Sequence, residues 1–197
     1  MKLRAFLAFT VSDDLQRELA GMTELLASKV DGITWVRPDH IHCTLKFFGN
    51  VEEEQLMEKI APAIAKISST ASSINLSAVG LGAFPNWRYP RVVWAGLSGE
   101  TERVATLHEQ LEAAFVPFGI KCENRDFRLH LTLGRAKQRI KHTPEFSAFI
   151  EKQAIREFGS FSVDHLILMK SVLTRGGAEY TPLRTFRFRP GATKEPS

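Results

Sequence analysis

The sequence predicts an α+β fold built from two similar halves, with antiparallel sheets flanking a central cleft and helices outside. The first observation behind this prediction is a repeat, because "IHCTLKFFG" at 41–49 is echoed 88 residues later by "LHLTLGR" at 129–135. The second is that strand-like and helix-like patterns take turns along the chain, and the repeated strands are amphipathic, as in sheets with one open face. No low-complexity linker divides residues 1–190, so we expect one bilobal domain there and a disordered tail at 191–197.

The elements follow from the spacing of apolar residues. Residues 3–9 read as a strand rather than a signal peptide, because the apolar run is short and two aspartates stop it. Ser12 begins a helix, since its hydroxyl can cap the helix and the aspartates behind it suit the positive end of the helix dipole. Pro62 lies inside a later helical pattern and predicts a kink or a break. Further helices are indicated near 52–68, 104–115 and 144–157, and further strands near 41–48, 74–80, 91–97, 129–133, 161–170 and 178–188.

Composition sets wide limits on function. The 197 residues are 44% hydrophobic and 24% charged, which is ordinary for a globular protein, and the net charge of +4 mildly favours an anionic partner such as nucleic acid. Cys43 and Cys122 form no CxxC pair, which favours a reduced, cytoplasmic protein. No apolar run approaches the roughly 20 residues of a membrane span. We therefore expect no membrane association, and we take the protein to be a monomer.

The repeated strands carry the candidate chemistry, because alternate side chains of a strand share a face. In the first copy the apolar face is formed by Ile41, Cys43, Leu45 and Phe47, and the polar face by His42, Thr44 and Lys46. In the second copy Leu129, Leu131 and Leu133 alternate with His130 and Thr132. If the two halves face each other, two imidazoles and two hydroxyls converge on one pocket.

That set of groups suits attack of water on a phosphodiester. One neutral histidine can take the proton of the water, and one protonated histidine can give a proton to the departing oxygen. Each threonine hydroxyl can donate to a non-bridging phosphate oxygen, where negative charge rises in the transition state. A single H-x-T is common in strands and is seldom catalytic by itself. Two copies with similar apolar neighbours, each followed by glycine, favour a site.

Family resemblance extends this interpretation over nearly the whole chain. The segments that carry it are "RAFLAF", "HCTLKFFG", "PRVVWAGL", "HLTLGR" and the late "SVLTRGGAEYTPL". They resemble those of the two-histidine phosphoesterases, most closely the RNA 2′,3′-cyclic phosphodiesterases of the LigT type, formerly called 2′–5′ RNA ligases. The resemblance implies hydrolysis of RNA 2′,3′-cyclic phosphate ends to a 2′-phosphate, with no cofactor or metal. It also implies that His42 is the proton donor, that His130 is the acceptor, and that Thr44 and Thr132 hold the phosphate.

Departures from the family pattern leave these positions intact. Relatives often have proline just before the second motif histidine, where this chain has Leu129, and Cys43 replaces an aliphatic spacer that should face the core. Arg135 is a candidate for binding phosphate, although strand alternation places it opposite His130 unless Gly134 bends the strand. Lys46 is a second candidate for binding the RNA backbone, with a solvated surface lysine as the alternative.

Several residues stay open at this point. The loop "FPNWRYP" presents Phe84, Trp87 and Tyr89, which could stack on bases or pack between the lobes. His40 and His42 form an H-x-H spacing that zinc could use, but no third ligand is evident nearby. The role of Tyr180 is unassigned, and structural or solvent-facing roles are expected for His108, His142 and His165.

Three functions are compatible with the sequence. The first is hydrolysis of RNA 2′,3′-cyclic phosphate ends. The second is reversible 2′–5′ RNA joining in the same site, and the third is an RNA-binding module without activity. Intact histidines and threonines in both copies favour an enzyme, and hydrolysis should dominate where water is abundant and RNA ends are dilute.

Overall fold

A computed structural model of the chain describes residues 1–122, 127–136, 144–174 and 177–190. Nine strands are present in these ranges: β1 Lys2–Thr10, β2 Ile33–Trp35, β3 His42–Glu52, β4 Ile74–Phe84, β5 Val92–Gly99, β6 His130–Ala136, β7 Glu157–Val163, β8 His165–Thr174 and β9 Gly177–Arg187. The α-helices there are α1 Asp13–Ala27, α2 Glu53–Gln55, α3 Ala61–Ser68, α4 Thr101–Phe115 and α5 Pro144–Gln153. The disordered tail predicted at 191–197 and His142 lie outside the described residues.

Two antiparallel sheets form the body of the protein, which confirms the α+β prediction. The first sheet has the strand order β3-β1-β8-β9, and the second has the order β2-β6-β5-β4-β7. The repeated H-x-T segments therefore begin one strand in each sheet, His42 at the start of β3 and His130 at the start of β6. Each sheet thus contributes one copy to the space between them.

The internal repeat extends beyond the two H-x-T segments. Helices α1 and α4 both have 15 residues, and their bounds, Asp13–Ala27 and Thr101–Phe115, are offset by the same 88 positions. Each of these helices follows a strand of one sheet and contacts the other sheet. Helix α1 packs on β7 of the second sheet, and α4 contacts β3 of the first. The helices thus tie the two halves into one body.

The strands are also exchanged between the halves. The chain starts in the first sheet with β1, but β4 pairs with β5 in the second sheet, and the late strand β8 returns to pair with β1 in the first. Leu7 of β1 lies opposite Leu168 of β8 in this pairing, and both side chains are fully buried. The sequence pattern did not predict this exchange, because pairing between distant strands leaves no local signal.

The break predicted near Pro62 is present, and one predicted strand differs from the structure. A π-helical turn, Leu56–Ile60, interrupts the helical stretch directly before Pro62, and Ala61 N–H bonds to Leu56 O there. This turn accommodates the proline, which lacks a backbone N–H. The single strand predicted at 161–170 is wrong, since β7 ends at Val163 and β8 begins at His165.

The core is apolar and lies between each sheet and its helices. Its largest fully buried side chains include Phe6, Phe9, Phe115, Leu19, Ile60 and Leu76. Burial of each such side chain typically contributes about 1.5–3 kcal/mol. Within the described residues, no helix is both long and apolar enough to cross a membrane.

Candidate active site

A cleft of about 870 Å³ opens between the two sheets and is lined by both copies of the repeat. Strand β3 contributes Thr44 and Phe47 to its walls, and β6 contributes His130, Thr132 and Arg135. The rest of the lining is Leu45, Phe84, Pro85, Tyr89, Arg91, Val92, Phe127 and Arg128. No aspartate or glutamate is present among these described residues, so the cleft is suited to an anion.

His130 stands on the wall of the cleft in a fixed orientation. Its Nδ1 lies 2.5 Å from the carbonyl oxygen of Arg128. A carbonyl only accepts, so Nδ1 carries the proton and donates it, which leaves Nε2 of the neutral ring as the free acceptor. The ring packs edge-on against Phe84 at 5.0 Å between centroids and against Trp94 at 6.4 Å.

His42 is held in the same way but lies deeper than His130. Its Nδ1 is 2.6 Å from the carbonyl oxygen of His40, so the carbonyl two residues earlier again leaves Nε2 free. The ring stacks on Phe6 at 4.9 Å, and Tyr180 meets it edge-on at 5.2 Å. These two aromatic rings cover His42, which is not among the residues that line the cleft wall.

Burial favours the neutral form of both imidazoles. The pKa of His42 is lowered to about 4, chiefly by burial, with smaller contributions from its electrostatic interactions with His40, Arg135 and His130 and against the raising effect of the His40 carbonyl. Burial likewise lowers the pKa of His130, again against a backbone hydrogen bond and with help from Arg135. Because Arg135 acts on both histidines and His130 acts on His42, the three groups share one electrostatic environment.

The side chains of the two threonines line the same cleft. Thr44 lies opposite Ala8 of β1, Thr132 lies opposite Trp94 of β5, and both side chains are half-buried on the cleft wall. Neither hydroxyl has a hydrogen-bond partner in the described part of the chain. Both donors are therefore available to a bound anion.

A β-bulge directly after each threonine changes which side chains face the cleft. In β3 the pairing passes from Thr44 to Lys46 and skips Leu45, and in β6 it passes from Thr132 to Gly134 and skips Leu133. An extra residue reverses the alternation beyond it. The next cleft-facing position is therefore Phe47 in the first copy and Arg135 in the second, again 88 residues apart.

The bulges explain the outcome of three predictions made from the sequence. Arg135 lines the cleft, as the proposed bend at Gly134 required. The placement of Phe47 on the core face is wrong, because its side chain is 47% exposed in the cleft. The placement of Lys46 beside His42 and Thr44 is also wrong, because the reversed alternation turns its side chain toward α4.

Lys46 is buried in an ion pair instead of facing RNA. It is only 3% exposed, its Nζ lies 2.6 Å from Oε1 of Glu112, and it also donates to the carbonyl oxygen of Lys121 at 2.8 Å. Sequence alternation missed this arrangement because a bulge is a tertiary feature. Near the bulge, the neighbouring residues Phe47 and Phe48 are both aromatic, but only Phe47 is exposed.

Trp94 is a supporting residue that the sequence did not single out. Its indole lies flat over Gly82 of the neighbouring strand, where an added Cβ would come within 2.0 Å of the ring. The ring also packs against Phe84, with 5.2 Å between centroids, and Phe84 in turn packs against His130. Gly82 thus leaves the space in which this aromatic wall forms.

The remaining aromatic candidates divide between cleft and core. Tyr89 is 44% exposed and lines the cleft, and Phe84 lines it while packing on His130. Trp87 instead packs against Phe146 of α5. Tyr180 contacts the rings of both His40 and His42, which gives it a place beside the first histidine.

The other histidines have structural contacts. His108 stacks on Phe127 at 4.0 Å, and His165 lies 2.5 Å from a carboxylate oxygen of Asp164. His40 ends a 3₁₀ turn rather than sharing a strand with His42, so the proposed H-x-H face is wrong. In the ranges that the structure covers, no group of three histidine, cysteine or acidic side chains could hold a metal ion.

Cys43 joins the two copies of the motif beneath the cleft. Its side chain is 1% exposed, as expected for a core-facing spacer, and burial raises the pKa of the thiol to about 12. A hydrogen bond from the backbone of His130 acts in the opposite direction. Cys43 of the first motif thus contacts His130, the first residue of the second motif.

Comparison with known proteins gives the same pattern of two halves. The LigT-like phosphoesterase family model matches residues 9–94 and 96–180, one match for each half. A relative in Methanothermobacter thermautotrophicus named RNA 2′,3′-cyclic phosphodiesterase is 35% identical over 187 residues, with 95% of this chain and all of the relative covered. A relative of the same name in Aquifex aeolicus is 30% identical, with 93% and 96% covered.

Solved structures show the same fold. A crystal structure of a Thermus thermophilus protein has a TM-score of 0.81 at 24% identity, with 96% of this chain and all of the other covered. The apo form of Escherichia coli LigT has a TM-score of 0.75 at 22% identity, with 95% and 98% covered. The family match to both halves and the relatives of 30–35% identity show that the chain belongs to the LigT-like phosphoesterase family.

Proposed function

We propose that this protein hydrolyses the 2′,3′-cyclic phosphate ends of RNA to 2′-phosphates, with His42 and His130 as its acid and base. The observation that carries the proposal is the matched pair of imidazoles. Each has its Nδ1 fixed by the carbonyl two residues earlier, so each keeps Nε2 for a proton transfer. Relatives over the whole chain length carry the name RNA 2′,3′-cyclic phosphodiesterase, which supports the substrate.

The base is the simpler role to assign. His130 has a lowered pKa and is therefore neutral near pH 7, as a proton acceptor must be. Its Nε2 takes a proton from water while the water oxygen forms a bond to phosphorus. Thr44 and Thr132 donate to the non-bridging oxygens, and Arg135 balances their rising negative charge.

The acid needs help from the substrate. With a pKa of about 4, His42 is neutral near pH 7 in the free protein, but a proton donor must be charged. The negative charge of a bound phosphate favours imidazolium and offsets part of the cost of burial. As the bond between phosphorus and the 3′ oxygen breaks, Nε2 of His42 gives that oxygen its proton. The assignment of the 3′ oxygen as leaving group rests on the family resemblance.

The cysteines bear on the cellular setting of the protein. Cys43 and Cys122 are both free thiols, which suits a reduced compartment, and we propose that the protein acts in the cytoplasm as a monomer. We also propose that residues 1–190 form one functional domain. The pairing of β8 with β1 supports this, because it joins the two ends of the chain in one sheet.

The test is hydrolysis of a short RNA with a 2′,3′-cyclic phosphate end by purified protein in EDTA. We expect phosphorus NMR to show a 2′-phosphomonoester, and His42→Ala and His130→Ala to lose activity. His165→Ala is the matched control, because His165 lies outside the cleft lining and should retain the wild-type rate. A 3′-phosphate product, or activity that only an added metal restores, would contradict the proposal. Joined RNA without hydrolysis would favour 2′–5′ ligation in the same site.

A further inference from the structure

The charge of the cleft exceeds what one phosphate needs. Three arginines line it, Arg91, Arg128 and Arg135, and all three side chains are exposed. Within the described residues none of them forms an ion pair or donates a side-chain hydrogen bond, and no carboxylate lines the same wall. Unpaired guanidinium groups in a shared cleft are the usual means of binding several phosphates.

Only one of the three arginines follows directly from an H-x-T segment. Arg135 is the next cleft-facing residue after Thr132, and its charge lowers the pKa of both His42 and His130. Arg91 and Arg128 line the same cleft but lie outside the two H-x-T strands, before β5 and before β6.

The two outer arginines lie on the cleft wall next to β6. The guanidinium carbon of Arg128 lies 5.5 Å from the centre of the Phe84 ring, and Phe84 in turn packs edge-on against His130. Phe84 therefore separates this guanidinium from the imidazole. Arg91 precedes β5, and its carbonyl accepts from the backbone N–H of Ala136, next to Arg135. Both residues therefore lie beside β6, on the wall of the same cleft.

We propose that Arg91 and Arg128 form a subsite for the RNA backbone upstream of the cyclic end, so that the protein selects oligonucleotide ends over cyclic mononucleotides. The inference rests on the proposed function, since it concerns the same cleft. A cyclic mononucleotide carries a single phosphate and leaves both outer guanidiniums without a partner. An RNA end brings further phosphodiesters, which the exposed guanidinium groups of Arg91 and Arg128 can bind.

The first test compares kcat/KM for a pentanucleotide ending in a cyclic phosphate with that for 2′,3′-cyclic AMP. We expect the pentanucleotide to be preferred by roughly tenfold or more, since each charge-assisted hydrogen bond to a further phosphate strengthens binding of the RNA. We also expect a steeper loss of its kcat/KM with salt, by about 0.7 in the logarithmic slope for each further phosphate bound. Equal rates and equal slopes for the two substrates would overturn the subsite.

The second test assigns the effect to the two arginines. Arg91→Gln and Arg128→Gln should each lower the preference for the pentanucleotide and reduce its salt slope. Arg17→Gln is the matched control, because Arg17 lies on α1, pairs with Asp14 and is absent from the cleft lining. A variant that slows both substrates equally acts on the chemistry, which would overturn its assignment to the subsite.

The outcomes also separate this inference from the proposed function. A wild-type protein that hydrolyses neither substrate would overturn the proposed function, and the subsite with it. A protein that hydrolyses both substrates equally well would leave the proposed function standing and overturn the subsite alone. Hydrolysis with a preference for RNA that both arginine variants reduce would support the two together.

Discussion

Lys46 and Glu112 form a buried ion pair that ties the strand of the first motif to a helix of the second half. The ammonium nitrogen lies 2.6 Å from one carboxylate oxygen and 2.8 Å from the other, and the two side chains are 3% and 11% exposed. Lys46 is two residues from Thr44, so the pair fixes β3 close to the site. Its charge is satisfied inside the protein and is not available to RNA.

We expect Lys46→Met to destabilise the protein strongly. The change removes the ammonium group that pairs with the buried carboxylate of Glu112, and breaking a buried ion pair typically costs about 3–5 kcal/mol. Urea unfolding at neutral pH measures the change in the free energy of unfolding. Lys59→Met is the control, because Lys59 is exposed and its replacement should change stability little.

A second variant separates the pair from the lysine alone. In Lys46→Met combined with Glu112→Leu neither charge is buried, so we expect much of the lost stability to return. A stable Lys46→Met protein with a raised KM for RNA would instead support the role in substrate binding that strand alternation predicted for Lys46.

Replacement of either motif threonine by valine should slow turnover and leave the fold intact. Valine keeps the branched shape of Thr44 or Thr132 but removes the donor that faces the cleft. Loss of one such donor to a developing oxyanion typically costs about 10²–10³ in kcat. Steady-state kinetics with a cyclic-phosphate RNA measure the loss, and circular dichroism checks the fold.

Thr181→Val on β9 is the control for this pair. Thr181 is exposed and absent from the cleft lining, so the same chemical change should leave kcat unaltered. Wild-type kcat in both Thr44→Val and Thr132→Val would show that the two hydroxyls take no part in the reaction.

Gly82→Ala should impair catalysis without touching a motif residue. A Cβ at this position would lie 2.0 Å from the ring of Trp94, so the indole must move. Trp94 and Phe84 form the wall against which the ring of His130 packs, and a displaced wall should lower kcat. Gly21→Ala on α1 is the control, since nothing lies within 4 Å of a Cβ there. Unchanged kcat in Gly82→Ala would show that this wall does not position His130.

The motif itself could be predicted from the sequence because strand alternation is local. His42 and Thr44 share a face over two residues, and so do His130 and Thr132. The 88-residue repeat then placed both pairs in equivalent strands, and the cleft brings Thr44, His130 and Thr132 together. A repeat and a period of two were sufficient for this part of the site.

Beyond each threonine the same reasoning failed, since the bulges at Leu45 and Leu133 depend on partner strands that are distant in sequence. The alternation therefore misplaced Lys46 and Phe47, and it could not decide Arg135. The exchange of β4 and β8 between the sheets was hidden for the same reason. The burial of His42 against Phe6 could not be predicted from the sequence either. It depends on the packing of β1 beside β3 and on the ring of Tyr180.

The last prediction concerns pH. Burial lowers the pKa of His42 to about 4 and also lowers the pKa of His130, so the free protein near pH 7 has both imidazoles neutral. The proposed mechanism needs one proton on the pair, and the free protein acquires it only as the pH falls below the reference value of about 6.5. We therefore expect kcat/KM, which reports the free protein, to fall about tenfold per pH unit on the alkaline side of an optimum below that value.

The profile of kcat should differ, because it reports the complex. Bound phosphate raises the proton affinity of both histidines, so the alkaline limb of kcat should lie at higher pH than that of kcat/KM. Arg135→Gln tests the cause: its guanidinium lowers both histidine pKa values, so its removal should move the alkaline limb of kcat/KM to higher pH even as the rate drops. The limbs belong to the coupled pair rather than to one residue. An alkaline limb of kcat/KM above about pH 8 in the wild type, unmoved by Arg135→Gln, would contradict the buried, neutral pair.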